Sequence, residues 1–292
     1  MLGEKSAPQK GASAVDAERW VGIDQGYSHM GLAVIDADGR TLASESTREP
    51  AGDGHEPDVA LRRLRVLLGR VAGLRDGPVR LAGFCHEGSG VPEVFAEAGV
   101  TVRGTKALND VVGVYGITEM RGHVVVAGCG TYSQVVYVDE GQAVCWPGDD
   151  VAAQLPQWLL FGGAYARFVA ERRGGEEPPP RRWAELGPLL SDMLHDPAAR
   201  EFLTLAATAL AQTRDVFWRE TGVARPPDLV LGGGAVADPR VWAALSASAR
   251  ALGVGVERAQ GDPAVGLARF AMVHPDADPW AFIGRVRPGW LS

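Results

Sequence analysis

The carboxylate of Asp24 stands at the end of an apolar run and is followed by a turn rich in backbone N–H groups. The surrounding segment, Trp20–Arg40, predicts two β-strands joined by a tight turn at Gly26, and an Asp-Gly turn then leads into a third strand. The N–H groups of the first turn and the hydroxyl of Ser28 can receive phosphate oxygens, while Asp24 faces a cation or its waters. A metal-chelated polyphosphate therefore suits this turn. An ordinary hairpin in which Asp24 caps the turn fits the same residues equally well.

Two further turns of small residues follow predicted strands. They are Gly128-Cys129-Gly130-Thr131-Tyr132-Ser133 and Gly232-Gly233-Gly234. Glycines let a phosphate, or the flat face of an adenine and its ribose, approach the backbone closely. Taken singly, these turns also fit a bulge and a loop that starts a helix. Taken together with the first turn, they favour a nucleotide site.

The pattern of predicted elements occurs twice. Two paired strands, a third strand and then alternating helices and strands begin near Trp20 and again near Gly122. In the first copy a helix is predicted over Lys106–Thr118. In the second, a long helix is predicted over Pro197–Glu220 and a last one over Pro263–Val273. The repetition predicts an α/β fold whose two lobes bring their turns to one cleft.

The same pattern divides the chain into four parts. Residues 1–18 are expected to be a disordered lead-in, 19–120 an N-terminal lobe, 121–275 a C-terminal lobe and 276–292 a tail. The last helix, 263–273, either stays with the second lobe or packs back on the first.

Composition narrows the class of protein. The 292 residues are 46% hydrophobic and 22% charged, which is ordinary for a globular protein. The formal charge of -7 argues against nucleic acid or an anionic membrane as the main partner. The three cysteines form no Cys-x-x-Cys pair, so neither a zinc ribbon nor a disulfide framework is indicated. The sequence has no apolar run of the roughly 18 residues that span a membrane and no signal-peptide core, so we expect a cytoplasmic protein.

The ensemble of motifs resembles that of the ASKHA superfamily of acetate and sugar kinases, heat-shock chaperones and actin. Within it, the similarity is to the branch of N-acetylglucosamine kinase-like proteins and BadF-type ATPases. The matching segments are Trp20–Arg40 for the phosphate-1 motif, Val124–Ser133 for phosphate-2, Leu229–Ala237 for the adenosine motif, Asn109-Asp110 for an Asn-Asp pair, Gly148-Asp149-Asp150 for Gly-Asp-Glu and Asp262–Ala268 for a closing Pro-Ala-x-Gly helix. The resemblance covers about residues 20 to 273.

The resemblance implies two duplicated RNase H-like lobes, of the actin-like ATPase type, around a nucleotide cleft, and a kinase that uses ATP and Mg2+. Asp110 would be the general base for a sugar hydroxyl, Asn109 would hold the sugar, and Asp24 would orient the metal ion through water. Asp110 also fits a carboxylate that interacts with a helix dipole.

The resemblance also implies which other residues line the site. Those expected at the nucleotide are Asp24, Gly26, Tyr27, Ser28, His29, Gly128, Gly130, Thr131, Ser133, Gly232, Gly233 and Gly234. Those expected at the substrate besides Asn109 are His86, Glu87, Ser89, Asp149 and Asp150. A polar surface loop explains residues 86 to 89 equally well.

The chain departs from the branch at both phosphate motifs. The branch has Gly-Gly-Thr-Lys where this chain has Gly26-Tyr27-Ser28-His29, so a fixed positive charge is lost. In phosphate-2, Cys129 and Thr131 replace a Thr and a Ser. The expected substrate is an amino sugar or related polyol, and the expected assembly is a homodimer. Two alternatives stay open: a BadF-type ATPase that drives a partner protein, and a non-catalytic module that binds a nucleotide or sugar.

Overall fold

A computed structural model describes residues 18–26, 29–48, 56–83, 88–118, 120, 124–129, 133–139, 142–145, 170–171, 174–176 and 187–276. Within these residues the chain forms two five-stranded sheets with helices between and around them. No helix in this part of the chain combines the length and the apolar composition needed to cross a bilayer.

The first sheet is built from the N-terminal part of the chain. Its strands are β1 (Arg19–Gln25), β2 (His29–Ile35), β3 (Thr41–Arg48), β4 (Val79–Gly83) and β5 (Val102–Ala107), in the order β3-β2-β1-β4-β5. The pairs among β1, β2 and β3 are antiparallel, and β4 and β5 continue the sheet in parallel. The helices of this part are α1 (Pro57–Leu68), α2 (Val91–Glu97) and α3 (Asp110–Gly116).

The second sheet has the same strand order. Its strands are β6 (Val124–Cys129), β7 (Ser133–Asp139), β8 (Gln142–Cys145), β9 (Asp228–Gly232) and β10 (Val256–Arg258), in the order β8-β7-β6-β9-β10. Again three antiparallel strands are followed by two parallel ones. The described helices here are α4 (Gly187–Asp192), α5 (Pro197–Thr221), α6 (Gly234–Ala237), α7 (Pro239–Ala251) and α8 (Pro263–Val273). The predicted α/β class is confirmed, whereas the duplication of whole lobes stays a prediction.

Three helices begin in the same way. The side chains of Asp196, Asp238 and Asp262 each accept a hydrogen bond from the N–H two residues later, and a proline occupies the first helical turn. The carboxylate satisfies a donor that has no partner within the helix, and the proline needs none. The starts of α5, α7 and α8 are therefore encoded locally.

The start of α3 was predicted wrongly. Lys106 belongs to β5, where it pairs with Ala82 of β4, and the helix begins only at Asp110. Asn109 caps it, since its side chain accepts a hydrogen bond from the Val111 N–H. Pairing with a neighbouring strand thus overrides the helical pattern of residues 106 to 109.

Helices α8 and α3 lie between the two sheets. Helix α8 contacts β1, β2 and β4 of the first sheet, and α3 contacts β6, β7 and β9 of the second. The two helices meet at glycines: a Cβ on Gly116 would lie 2.0 Å from the Gly266 carbonyl oxygen, and one on Gly266 would lie 1.9 Å from that of Gly113. Any side chain at these positions would therefore push the helices apart. The order of layers is first sheet, α8, α3, second sheet.

Candidate functional site

Asp24 lies near the end of the central strand of the first sheet. It pairs with Gly31 across the β1–β2 hairpin, and its carboxylate is only 7% exposed. The imidazole Nε2 of His29 lies 2.9 Å from one carboxylate oxygen of Asp24. The N–H of Gly26 donates to the His29 carbonyl at 2.9 Å and closes the turn. The predicted pairing of the first two strands is present, and Asp24 is paired with a histidine.

The imidazole ring of His29 packs against the α-carbon of Gly26. A Cβ at position 26 would lie 2.4 Å from the ring carbon Cε1 of His29. Because real Cβ atoms do not approach other atoms so closely, the turn needs glycine here as long as His29 stays paired with Asp24.

Arg63 of α1 reaches the same turn from the interior. Its side chain is 1% exposed, and Nη1 donates to the Gly26 carbonyl oxygen at 3.4 Å. A guanidinium carries its positive charge at any physiological pH. A buried cation thus contacts Gly26, two residues after Asp24.

Asp110 is the first residue of α3 and lies close enough to Asp24 to feel its charge. Burial by surrounding protein raises the pKa of Asp110 to about 6, and the negative charge of Asp24 adds to this effect. The hydrogen bond from the Val111 N–H and the charge of His29 act in the opposite direction. The side chain is nevertheless open to solvent. Asp110 is thus a carboxylate whose pKa is raised although water still reaches it.

The third predicted turn lies against α3. Gly232 ends β9 beside Gly128 of β6, and a Cβ on Gly232 would lie 2.5 Å from Val114 of α3. Gly233 has φ 101° and ψ 174°, a conformation that side chains disfavour, and Gly234 begins α6. Val114 follows Asp110 by four residues, or about 6 Å along a helix axis. Asp110, which is close to Asp24, is therefore separated by one turn of α3 from Val114, the residue that contacts the glycine turn.

The remaining predicted site residues divide into three groups. Asn109 and Ser89 are used locally, because their side chains accept hydrogen bonds from the Val111 and Val91 N–H groups at the starts of α3 and α2. Ser133 opens β7 opposite Cys129. The predicted residues that lie outside the described part of the chain are Tyr27, Ser28, His86, Glu87, Gly130, Thr131, Asp149 and Asp150.

Asp24 is the residue that the sequence analysis assigns to a metal ion, and this assignment stays a prediction. In the described part of the chain no three or more His, Cys, Asp or Glu residues are grouped so that they could hold a metal ion. Mg2+ commonly takes one or two carboxylates and completes its shell with waters and phosphate oxygens. The donors present here therefore fit Mg2+ only as part of a complex with a phosphate ligand.

Comparison with known proteins gives a result at the level of structure alone. No family model matches the sequence, and no curated protein matches it. The putative N-acetylglucosamine kinase from Porphyromonas gingivalis aligns with a TM-score of 0.58 at 15% identity, over 88% of this chain and 99% of that one.

Two further solved structures show the same similarity. A ROK family glucokinase from Streptomyces griseus, in complex with glucose and AMPPNP, aligns with a TM-score of 0.57 at 16% identity, over 87% of this chain and 98% of that one. The ethanolamine utilization protein EutJ from Carboxydothermus hydrogenoformans aligns with a TM-score of 0.54 at 15% identity, over 86% of this chain and 89% of that one.

The chain has the fold of the ASKHA sugar kinases. The resemblance predicted from the motifs is thus confirmed for the fold. EutJ, which is not named as a kinase, aligns nearly as well. The fold by itself therefore does not decide the activity of this chain.

The sequence-based prediction missed Arg63. Its spacing would have revealed it, because Arg63 follows Ala60 by three residues and precedes Leu67 by four, and both are buried. A charged residue on the apolar stripe of an amphipathic helix must find a partner in the interior. Here one partner is the carbonyl of the turn that carries Asp24.

Proposed function

We propose that this chain is an ATP-dependent kinase that transfers the γ-phosphoryl group to a hydroxyl of an amino sugar or related polyol. The observation that carries the proposal is the position of Asp110. It faces the charges of Asp24 and His29 and lies one helical turn from the Val114 contact with Gly232. An acid of that kind sits between a turn suited to phosphates and a turn suited to a nucleoside.

In this proposal Asp110 is the general base. With a pKa of about 6 it is ionised at neutral pH and still basic enough to accept a proton from a hydroxyl in the transition state. The acceptor oxygen forms its bond to the γ-phosphorus as the bond to the bridging oxygen of ADP breaks, and the hydroxyl proton passes to Asp110. Phosphoryl transfer otherwise depends on alignment and charge neutralisation.

The other residues bind and orient. Asp24 would hold Mg2+ through water, and the metal would supply neutralisation of the phosphate charge. The backbone of the turn at Gly26 and that at Gly128 would receive phosphate oxygens, and Gly232 to Gly234 would admit the nucleoside. Asn109 keeps its amide N–H groups for a sugar hydroxyl while its carbonyl oxygen caps α3.

The proposal extends to the architecture and the assembly. The shared strand order of the two sheets supports two duplicated RNase H-like lobes, 19–120 and 121–275, with a cleft between them. The lead-in 1–18, the tail 276–292, a homodimer and a cytoplasmic location complete it. The predicted nucleotide and substrate residues outside the described part of the chain keep their proposed roles: Tyr27, Ser28, Gly130 and Thr131 at the phosphates, and His86, Glu87, Asp149 and Asp150 at the sugar.

A second candidate is a module that binds a nucleotide or sugar without turnover, or an ATPase that serves a partner protein. The observation in its favour is the Asp24–His29 pair, which occupies the carboxylate that a metal complex would need. The similarity to EutJ is compatible with it.

A coupled assay of ADP release separates these functions. Wild-type protein is screened with Mg2+ and ATP over amino sugars, hexoses, polyols and nucleosides, beside Asp110→Asn. A kinase releases ADP only with particular acceptors and loses this activity in the variant. ADP release that is independent of every acceptor indicates an ATPase, and nucleotide binding without release indicates a binding module.

A further inference from the structure

The glycine turn, Gly232 to Gly234, contains two adjacent residues with unusual backbone freedom. Gly232 itself is fixed, because it pairs with Gly128 in the second sheet and leaves no room for a side chain beside Val114. Gly233 and Gly234 are exposed, and Gly233 has a φ of 101°. Since glycine has more conformational freedom than any other residue, these two positions keep one shape only if the chain after them is also held.

Helix α6 follows the turn and is too short to hold its own shape. It has four residues, whereas an isolated helix of fewer than about 12 to 15 residues is marginal in water. The last four carbonyl groups of any helix lack a partner within it, so those of α6 need partners from elsewhere. The side chain of Val236 is buried and provides an apolar anchor. The polar anchors must come from neighbouring elements.

Arg258 supplies one polar anchor from the adjacent strand. It is the last residue of β10, where it pairs with Leu231 of β9, and its Nη2 donates to the Ala237 carbonyl oxygen at 2.7 Å. A hydrogen bond from a charged donor is stronger than one between neutral groups, and the carboxyl end of a helix favours a positive charge. The guanidinium therefore ties the last residue of α6 to the second sheet.

This contact lies at the edge of the sheet where a ligand is expected. Ligands of open α/β sheets bind beyond the carboxyl ends of the strands. Gly232 and Arg258 end the neighbouring strands β9 and β10 at this edge. The residue after α6, Asp238, is held separately, because it accepts a hydrogen bond from the Ser191 hydroxyl at 2.6 Å. The two exposed glycines are thus bracketed by fixed points on both sides.

We propose that Arg258 is a positioning residue for the nucleoside: it holds the end of α6 through the Ala237 carbonyl and so keeps Gly233 and Gly234 in the shape that receives a nucleoside. This inference rests on the proposed function, because it needs a nucleotide at the glycine turn. It requires no contact between Arg258 and the ligand. Because the phosphates are assigned to other parts of the protein, the effect of Arg258 is confined to the nucleoside.

Binding measurements on full-length variants test this role. Arg258→Met removes the charged donor and keeps a long side chain. Arg250→Met is the matched control, because Arg250 is an exposed arginine in the last turn of α7. Each protein is titrated with ATP and, separately, with inorganic triphosphate, both in the presence of Mg2+. Triphosphate has the phosphate chain of ATP without the nucleoside.

We expect Arg258→Met to weaken ATP binding by about three- to tenfold relative to the control and to leave triphosphate binding unchanged. The lost hydrogen bond lowers the fraction of molecules whose glycine turn has the binding shape, and the apparent affinity falls with that fraction. A residue that served only the stability of the fold would lower Tm without separating the two ligands.

Other outcomes would contradict the proposal. If folded Arg258→Met binds ATP as tightly as Arg250→Met, or loses the same factor for ATP and triphosphate, the role of Arg258 is overturned. If Arg258→Met does not fold, Arg258→Gln is judged by the same criterion: a selective loss of ATP affinity supports the proposal, and no loss or an equal loss overturns it. A wild-type protein that binds no ATP overturns the proposed function and this inference with it.

Discussion

The two sheets share one strand order but differ at corresponding strand ends. In both, the fourth strand ends in a glycine beside the central strand: Gly83 pairs with Ile23, and Gly232 pairs with Gly128. The central strand of the first sheet carries Asp24 at its end, whereas that of the second ends in Gly128 and Cys129. The fold thus needs small residues at both places, and the acid belongs to only one of them. The glycines common to both sheets reflect packing, whereas Asp24, found in only one of them, is a candidate for chemistry.

The largest effect is expected from a substitution of a glycine where α3 and α8 touch, because it tests the close packing between the two sheets. We expect Gly266→Val to prevent folding or to cost more than about 4 kcal/mol, because its side chain would meet the Gly113 carbonyl oxygen. Urea unfolding measures the loss. The control is Gly255→Ala, since a Cβ there meets nothing within 4 Å. Equal stability of the two variants would contradict the close packing of these helices.

A substitution of Asp110 tests whether the acidic residues of the N-terminal part of the chain take part in chemistry. Asp110→Asn should lower turnover by about a hundredfold or more, the usual contribution of a general base, while ATP binding and the fold are kept. Asp228→Asn in the second sheet is the control, because that carboxylate is exposed at the start of β9. Full activity in Asp110→Asn would remove this residue from the mechanism.

The pKa of Asp110 predicts a pH profile for the same reaction. Because the base must be ionised, kcat/KM should rise by about tenfold per pH unit below a midpoint near 6 and level off above it. A profile that is flat between pH 5 and 7 would show that no group with this pKa takes part. Initial rates at fixed ionic strength are sufficient.

The smallest expected effects are changes in Tm when the carboxylates of Asp110 and Asp238 are removed one at a time. The raised pKa of Asp110 means that its ionised form costs stability, fully above pH 6 and not at all below pH 4. Asp110→Asn should therefore raise Tm by about 1 to 2 °C at pH 7.5, with the gain disappearing at pH 4. Thermal unfolding at several pH values follows this.

Asp238 should behave in the opposite way. Hydrogen bonds from Ser191 and from backbone N–H groups lower its pKa to about 2, so its ionised form stabilises the fold above pH 4 and this contribution fades as the pH falls towards 2. Asp238→Asn should lower Tm slightly at neutral pH. The same sign of change in both variants would contradict this assignment of the two acids.

Local signals explain which elements could be predicted. The bounds of α8 matched because Asp262 and Pro263 mark its start within the sequence itself. The start of α3 did not, because Lys106 is held in β5 by a strand far away in the sequence. Contacts between distant segments leave no trace in the local period of apolar residues.

The site shows the same limit. Asp24 and Asp110 could be singled out by their motifs, and the structure brings them to one place. The contact of His29 with Asp24 and that of Arg63 with Gly26 join different elements. Such contacts depend on how the elements pack, which the sequence motifs do not show. Ser89 was expected at the substrate; its hydroxyl accepts a hydrogen bond from the Val91 N–H at the start of α2, which also fits the alternative of a plain surface loop. Its substrate role stays a prediction.

Helix α3 has only seven residues, and its first and fifth residues are the two that the site depends on. Asp110 at the first position and Val114 against Gly232 are separated by a distance that the helix itself sets. A residue inserted into or deleted from this stretch would turn Asp110 by about 100° around the helix axis relative to Val114, so the register between the acid and the Gly232 turn depends on the four-residue spacing.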